Sequence, residues 1–215
     1  MRDMKTDEFI NALVEDQGAN IASFGFKFVA WIASGLTLSL MIFFIFLRVR
    51  ADFSDVMTDP HVMFKFIFAA SLLSSLLPLL VYARSPEINL LPVLRWLILP
   101  LLVLAGGVVF QLMTSRPDAW LSGMIGEHPM ACLGNIPVLA IGPFIALLLI
   151  LRSGAPTQPG LSGAAAGAIS ASLASFIYAL HCPDDSALFV AVWYSLAIAI
   201  MTGFGAVMGA KWLKW

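Results

Sequence analysis

Six long apolar runs alternate with short polar stretches along this chain, and that alternation predicts helices that cross a membrane. The runs cover about 28–47, 62–83, 93–113, 130–151, 161–180 and 187–210. A helical span needs about 20 apolar residues, so each run is long enough to cross once. The stretches between them read as turns. Residues 48–61 carry Asp52, Asp55, Asp59 and Pro60; Arg84 to Pro92 reads RSPEINLLP; residues 114–129 carry Trp120, an anchor for the membrane interface; Arg152 to Gly160 reads RSGAPTQPG. The fifth run ends in the polar turn His181, Cys182, Pro183, Asp184, Asp185.

Residues 1–27 are the longest polar stretch. Within it Phe9, Ile10, Leu13 and Val14 form one stripe of a helix, while Asp7, Glu8, Asn11, Glu15 and Asp16 lie off that stripe. Thr6 is placed to cap the N-terminus, where Asp7 and Glu8 suit the helix dipole, and Gly18 is placed to stop it. A helix of about 11 residues is marginal alone in water, so it needs a surface to pack on. The later spans carry packing signals of their own. Gly163 and Gly167 make a small-residue face on the fifth run, and Gly205 and Gly209 make another on the sixth. Such faces let helices approach closely. Pro78, Pro100, Pro137 and Pro143 are expected to kink the helices that hold them.

Composition agrees with the pattern. The chain has 215 residues, 60% hydrophobic and 12% charged, against about 25% charged in soluble domains. The expected fold class is all-α: an integral membrane bundle of six transmembrane helices (28–215) preceded by a short cytoplasmic amphipathic helix (1–27). No second folded domain fits in the remaining length. The first apolar run is too long for a signal-peptide core and lacks a cleavage site, so it is expected to stay as an anchor. A net charge of −1 without a basic patch argues against direct nucleic-acid binding. With the N-terminus inside, Arg2, Lys5, Lys27, Arg84, Arg95, Arg152, Lys211 and Lys214 fall inside, and Arg48, Arg50, Lys65 and Arg116 fall outside. The positive-inside rule then favours both termini in the cytoplasm, with Arg48 and Arg50 as local counter-evidence.

That orientation sets Cys132, at the start of the fourth span, and Cys182, at the end of the fifth, at one depth on the outer, oxidising side. A single cysteine is a common apolar filler. Two, and only two, at matched depth point to a functional pair. They can join in a disulfide if their Cα atoms come within about 7 Å, or they can bind a soft metal ion transiently. His128 lies one helical turn before Cys132, His181 adjoins Cys182, and Asp184 and Asp185 follow, which makes these four the candidate accessory ligands. No C-x-x-C or H-x-x-H spacing is present, so a plain solvated rim stays open for them.

The rest of the chemistry is sparse. Between Phe66 and Ala83, Trp96 and Met113, Met130 and Leu151, Ser153 and Leu180, and Ser186 and Ala210 the chain holds no Asp, Glu, Lys, Arg or His. Ion-coupled transporters keep such groups in the membrane. There is no phosphate-binding glycine loop and no Ser-His-Asp set. A membrane thiol-redox enzyme is expected to carry C-x-x-C and a quinone or haem ligand, and neither occurs. The pattern describes a receiver rather than an enzyme, with no constitutive cofactor. A thiol-redox enzyme and a small transporter are the alternatives. Surface-seeking helices are rich in Lys and Arg, whereas residues 1–27 hold five acids against three bases, which favours docking on a basic protein partner.

Taken together, these residues resemble the six-span membrane anti-sigma factors of the NrsF type. The resemblance covers essentially the whole chain. Met4 to Leu13, MKTDEFINAL, resembles the family's sigma-binding segment. Cys132 corresponds to the first family cysteine, followed by Arg152, Ala155, Pro156, Pro159 and Gly160. The most specific part is Tyr178, Ala179, Leu180, His181 and Cys182, then Phe189, Trp193, Tyr194, Gly205, Gly209 and Trp215, with Lys214 where arginine is expected. The resemblance implies a multi-pass protein of a bacterial inner membrane. In that family an extracytoplasmic-function sigma factor is held by the N-terminal segment, here Thr6, Asp7, Phe9, Ile10, Leu13 and Val14. It further implies release when Cys132 and Cys182 sense heavy-metal ions or oxidants.

Overall fold

The computed structural model describes residues 28–82, 95–154 and 156–214. Among them every regular element is helical. Helix α1 spans Phe28–Leu47 and closes in a π-helical turn, Phe43–Leu47. Short α2 (Phe53–Val56) precedes α3 (Pro60–Tyr82) and α4 (Ile98–Thr114). Short α5 (Trp120–Ile125) leads to α6 (Pro129–Arg152) and α7 (Pro159–Tyr178). Helix α8, Ala187–Trp212, contains a π-helical stretch at Val190–Tyr194.

The starts of these helices follow local chemistry. α6 and α7 both open on a proline, whose missing N–H and fixed φ suit a first helical position. The N–H of His61 donates to the Asp59 carboxylate at 2.8 Å, capping α3. Short α2 and α5 fold within stretches read from sequence as loops. The four interior prolines stand within α3, α4 and α6.

Five of the helices are long and apolar enough to cross a membrane: α1, α3, α6, α7 and α8. Six were expected. The remaining apolar helix, α4, has 17 residues, about 26 Å at the rise of an α-helix, short of a hydrocarbon core of about 30 Å. The third expected span was drawn from Val93, which lies outside the described residues. The N-terminal helix, with Thr6, Asp7, Phe9, Ile10, Leu13 and Val14, also lies outside them.

Helix α7 is the most deeply buried of the spanning helices and α1 the least. The reason for α7 is its small side chains. A Cβ on Gly163 would collide with the carbonyl of Gly205 and lie 2.6 Å from the Cα of Gly209, and one on Gly167 would strike the carbonyl of Met201. The two small-residue faces expected from sequence therefore meet each other, with α7 and α8 nearly backbone to backbone. Gly35 and Gly142 make a second such crossing between α1 and α6, where a Cβ on Gly142 would lie 2.6 Å from the Gly35 carbonyl oxygen. The buried cluster runs from this seam to Cys132, Tyr178, Cys182, Phe189 and Tyr194 at one end of the bundle.

Candidate functional site

The site is the turn between α7 and α8. Pro183 has no N–H to continue a helix, so the chain leaves α7 in a tight wrap. The N–H groups of His181 and Cys182 both donate to the Tyr178 carbonyl, at 2.9 and 3.0 Å. This folds Cys182 back under the turn, where it has no exposed surface. Cys132, in the first turn of α6, has none either, and both thiols are free. They belong to one apolar cluster with Tyr178, Phe189 and Tyr194. The Tyr194 hydroxyl is buried without a hydrogen-bond partner of normal geometry, and Cys182 lies beside it.

Around this cluster the same turn fastens the ends of four other helices. Asp184 accepts the backbone N–H of Glu127 at 2.9 Å and that of His128 at 3.1 Å, fixing the N-terminus of α6. The fit leaves no room beside Gly126, which has φ +67° and whose Cβ would lie 2.9 Å from the Asp184 carboxylate. Asp185 takes two cations. Its carboxylate lies 2.9 Å from the Arg50 guanidinium, just past α1, and 2.5 Å from Lys65 Nζ on α3. Lys65 is fully buried and also donates to the Cys182 carbonyl at 2.8 Å. Gln111, near the end of α4, donates to Ser186 Oγ at 2.7 Å, and its Oε1 accepts the N–H of Ala187 at 2.5 Å, the first residue of α8.

The end of α1 is bound most directly. The Arg50 N–H donates to the Leu180 carbonyl at 3.1 Å. His181 Nδ1 is 2.9 Å from the Arg48 carbonyl oxygen. A carbonyl only accepts, so Nδ1 carries the proton. Arg48 holds φ 63° and ψ 162° to make this turn, a conformation that costs a non-glycine residue about 1–3 kcal/mol. The Arg50 guanidinium also grips Asp52 with two bonds of 2.7 Å. The bidentate grip holds the Asp52 carboxyl below its ordinary range and, with Asp185, holds Arg50 charged above its own. Burial pushes the Cys182 thiol up, and the Lys65 charge opposes that push.

The sequence-derived residues thus divide. Cys132 and Cys182 come together. His128 and His181 both line a cleft of about 310 Å³ with Leu47, Val49, Ala131 and Pro183. Asp184 and Asp185 point elsewhere, one to backbone N–H groups and one to cations. Among the described residues no group of three or more His, Cys, Asp or Glu side chains is arranged to hold a metal ion. Sequence reasoning missed Arg50, Lys65 and Gln111. A signal for Lys65 was available, because a lysine inside an apolar run is costly and marks function by default.

Comparison with known proteins follows the same line. The family model described as negative regulator of sigma F matches residues 13–215. A probable anti-sigma-F factor NrsF from Azospira oryzae is 30% identical over 216 residues, covering 99% of this chain and 100% of the relative. The anti-sigma-F factor NrsF of Caulobacter vibrioides is 32% identical over 218 residues, covering 99% and 100%. No solved structure matches the chain. A fold of apolar spanning helices, the paired thiols at one end of it and a family match across nearly its full length agree, and the chain belongs to the NrsF family.

Proposed function

We propose that this chain is an inner-membrane anti-sigma factor and not an enzyme. Residues 1–27 hold an extracytoplasmic-function sigma factor at the cytoplasmic face, and the Cys132–Cys182 pair at the other face triggers release. The trigger is a soft metal ion bound transiently by the two thiols, or an oxidant that links them as a disulfide. The names of the two relatives support the partner. The family model begins at residue 13, so most of the sigma-binding segment Met4–Leu13 is supported by the full-length relatives instead.

One observation carries the coupling. The turn that buries Cys182 also binds the end of α1 through Leu180, His181 and Asp185. Helix α1 is continuous from Phe28, where the N-terminal segment ends, to Leu47. It is a rod of about 30 Å with the thiol cluster at one end and, at the other, Phe28, the residue that follows the N-terminal segment in the chain. A trigger acts only if it has different free energy in two arrangements of the bundle. Bridging Cys182 to Cys132 pulls the turn toward α6 and away from Arg48 and Arg50. Release of that contact relieves the strained Arg48 backbone, and α1 is the least buried of the five helices of spanning length.

The positions of the contacts also support six crossings. Lys65 near the start of α3 and Gln111 near the end of α4 both meet the 180–187 turn. Helix α3 carries the chain to the other end by Tyr82, so the chain recrosses before Gln111. An even number of crossings leaves both termini on one side, opposite the thiols. Two of the four cations counted on the outer side, Arg50 and Lys65, are held in ion pairs by Asp185.

The test is a detergent pull-down of the full-length protein from its own cells, with and without residues 1–26. Recovery of a sigma factor only with the intact N-terminus is the expected result, lost on metal or oxidant treatment and retained in Cys132→Ser and Cys182→Ser. Absence of any sigma factor from untreated cells sinks the reading.

A further inference from the structure

Helix α5 has six residues, WLSGMI, too few to hold a helix together in water without a surface to lie on. At about 100° per residue, Trp120, Leu121, Met124 and Ile125 fall within an arc of about 140°. All four are exposed, Leu121 at 62% and Ile125 at 47%. Beyond one edge of that arc lies Ser122, also exposed, its hydroxyl donating to the Ala119 carbonyl at 3.0 Å. Beyond the other edge Gly123 faces the bundle, where a Cβ would sit 3.2 Å from Ser186 Oγ and 3.4 Å from Gln111 Nε2. The helix therefore has three sides: one against the bundle, one polar, and one apolar and bare.

Its neighbours indicate what covers the bare side. Val109, Phe110 and Met113 of α4, just before it, and Met130 of α6, just after it, are exposed too. Those side chains belong to apolar helices whose outer surface the bilayer covers, and the bare side of α5 continues that surface at the thiol end. Arg116 and Asp118, in the turn that leads into α5, are paired at 3.5 Å and exposed, which marks the water side. Tryptophan rings settle at the level of lipid headgroups, and Trp120 opens the helix. We propose that α5 is an in-plane membrane anchor, its apolar side lying in the boundary between headgroups and acyl chains. With no Lys or Arg in α5, the ligand is that boundary itself and not an anionic headgroup. What it anchors is the polar turn. The Met124 carbonyl accepts the Trp193 Nε1–H at 3.0 Å. Gly126 ends α5 with no room for a Cβ between the Phe189 ring and the Asp184 carboxylate. Asp184 then takes the next two N–H groups, of Glu127 and His128. The level of the turn in the membrane follows the level of α5.

Only a membrane-spanning bundle is needed for this, so failure of the anchor leaves the anti-sigma reading untouched. Full-length protein is placed in phosphatidylcholine vesicles with a nitroxide on one introduced cysteine, Asp118→Cys, Leu121→Cys or Ile125→Cys, in a Cys132→Ser, Cys182→Ser background. Power-saturation EPR compares collisions with oxygen, which enters lipid, and with a nickel chelate, which stays in water. Labels at Leu121→Cys and Ile125→Cys are expected about 5–10 Å into the headgroup and acyl boundary, and the label at Asp118→Cys in water. The same depths are expected when phosphatidylglycerol is added. Nickel collisions at Leu121→Cys and Ile125→Cys as frequent as at Asp118→Cys overturn the proposal. Loss of both kinds of collision with spin–spin broadening also overturns it, because a second copy of the chain is then the cover. A depth reached only with phosphatidylglycerol overturns it as well, because anionic headgroups are then the ligand. If the labelled chains do not fold, the native thiols are kept and tryptophan emission is compared with that of Trp120→Phe. The emission that disappears is expected to be the part quenched by lipids brominated high on the acyl chain. If it is the part quenched by aqueous iodide, the proposal falls.

Discussion

Asp185→Asn is the sharpest test of the clamp. It keeps the shape of the side chain and removes the charge that Arg50 and Lys65 share. Lys65 has no exposed surface, and the Asp185 side chain is 24% exposed. Removing one partner of a buried ion pair costs about 3–5 kcal/mol, because the other charge is left uncompensated. Here Lys65 keeps the Cys182 carbonyl, Arg50 keeps Asp52, and asparagine keeps an acceptor oxygen. Those residual bonds place the expected cost at the lower end, about 3 kcal/mol, or roughly a hundredfold in the folding equilibrium. Unfolding of the purified protein in detergent, run as a double-mutant cycle with Lys65→Met, measures it. With Lys65 replaced, the stranded charge is gone, and Asp185→Asn is expected to cost about 1 kcal/mol or less. A cost below about 1 kcal/mol in the wild-type background, or an equal cost in both backgrounds, refutes the reasoning. In cells, the same substitution loosens α1 from the turn and is expected to raise sigma output without stress.

Four further outcomes follow from other contacts. Gly163→Val thrusts a branched side chain into the Gly205 and Gly209 backbone and is expected to lower the thermal midpoint in detergent strongly. Gly203→Ala, with open space around its Cβ, is expected to be neutral or stabilising by up to about 1 kcal/mol. Gln111→Leu strips the acceptor from the Ala187 and Leu188 N–H groups at the start of α8; it is expected to cost about 1–2 kcal/mol in the same unfolding assay, as loss of a helix cap does. Asp52 is held below its ordinary value of 3.8 by Arg50, so its contribution to stability is full above that value and fades as pH falls through the lower folded-state value. Carboxyl NMR of Asp52 is expected to titrate below pH 3.8 in the wild type and close to it in Arg50→Gln.

Much of the architecture is a local property of the chain and is determined by sequence. The five helices of spanning length end close to where their apolar runs end, because a helix in lipid satisfies its own backbone and the bilayer sets its length. The meeting of α7 and α8 was legible because Gly163, Gly167, Gly205 and Gly209 repeat at helical spacing, and only small residues admit such an approach. The matched depth of Cys132 and Cys182 was legible for a similar reason, since adjacent antiparallel spans bring the start of one beside the end of the next. The wiring of the turn was not. Asp184 and Asp185 read as candidate metal ligands or a solvated rim, yet one caps α6 and the other neutralises Arg50 and Lys65. Those partners lie far away in sequence, and no local periodicity specifies which acid meets which cation. The Arg48–His181 contact that joins α1 to the thiol turn depends on a left-handed backbone at a non-glycine residue, and sequence gives no cue for that. What the sequence determined alone is which segments form the five helices long and apolar enough to cross a membrane, and which thiols share an end. What tertiary structure decided is that the single polar turn between α7 and α8 holds the ends of four other helices. The physical reason is desolvation: with Cys182 and Lys65 buried and Asp184 and Asp185 partly so, the polar groups around them need partners, and folding brings those from the ends of helices scattered along the chain.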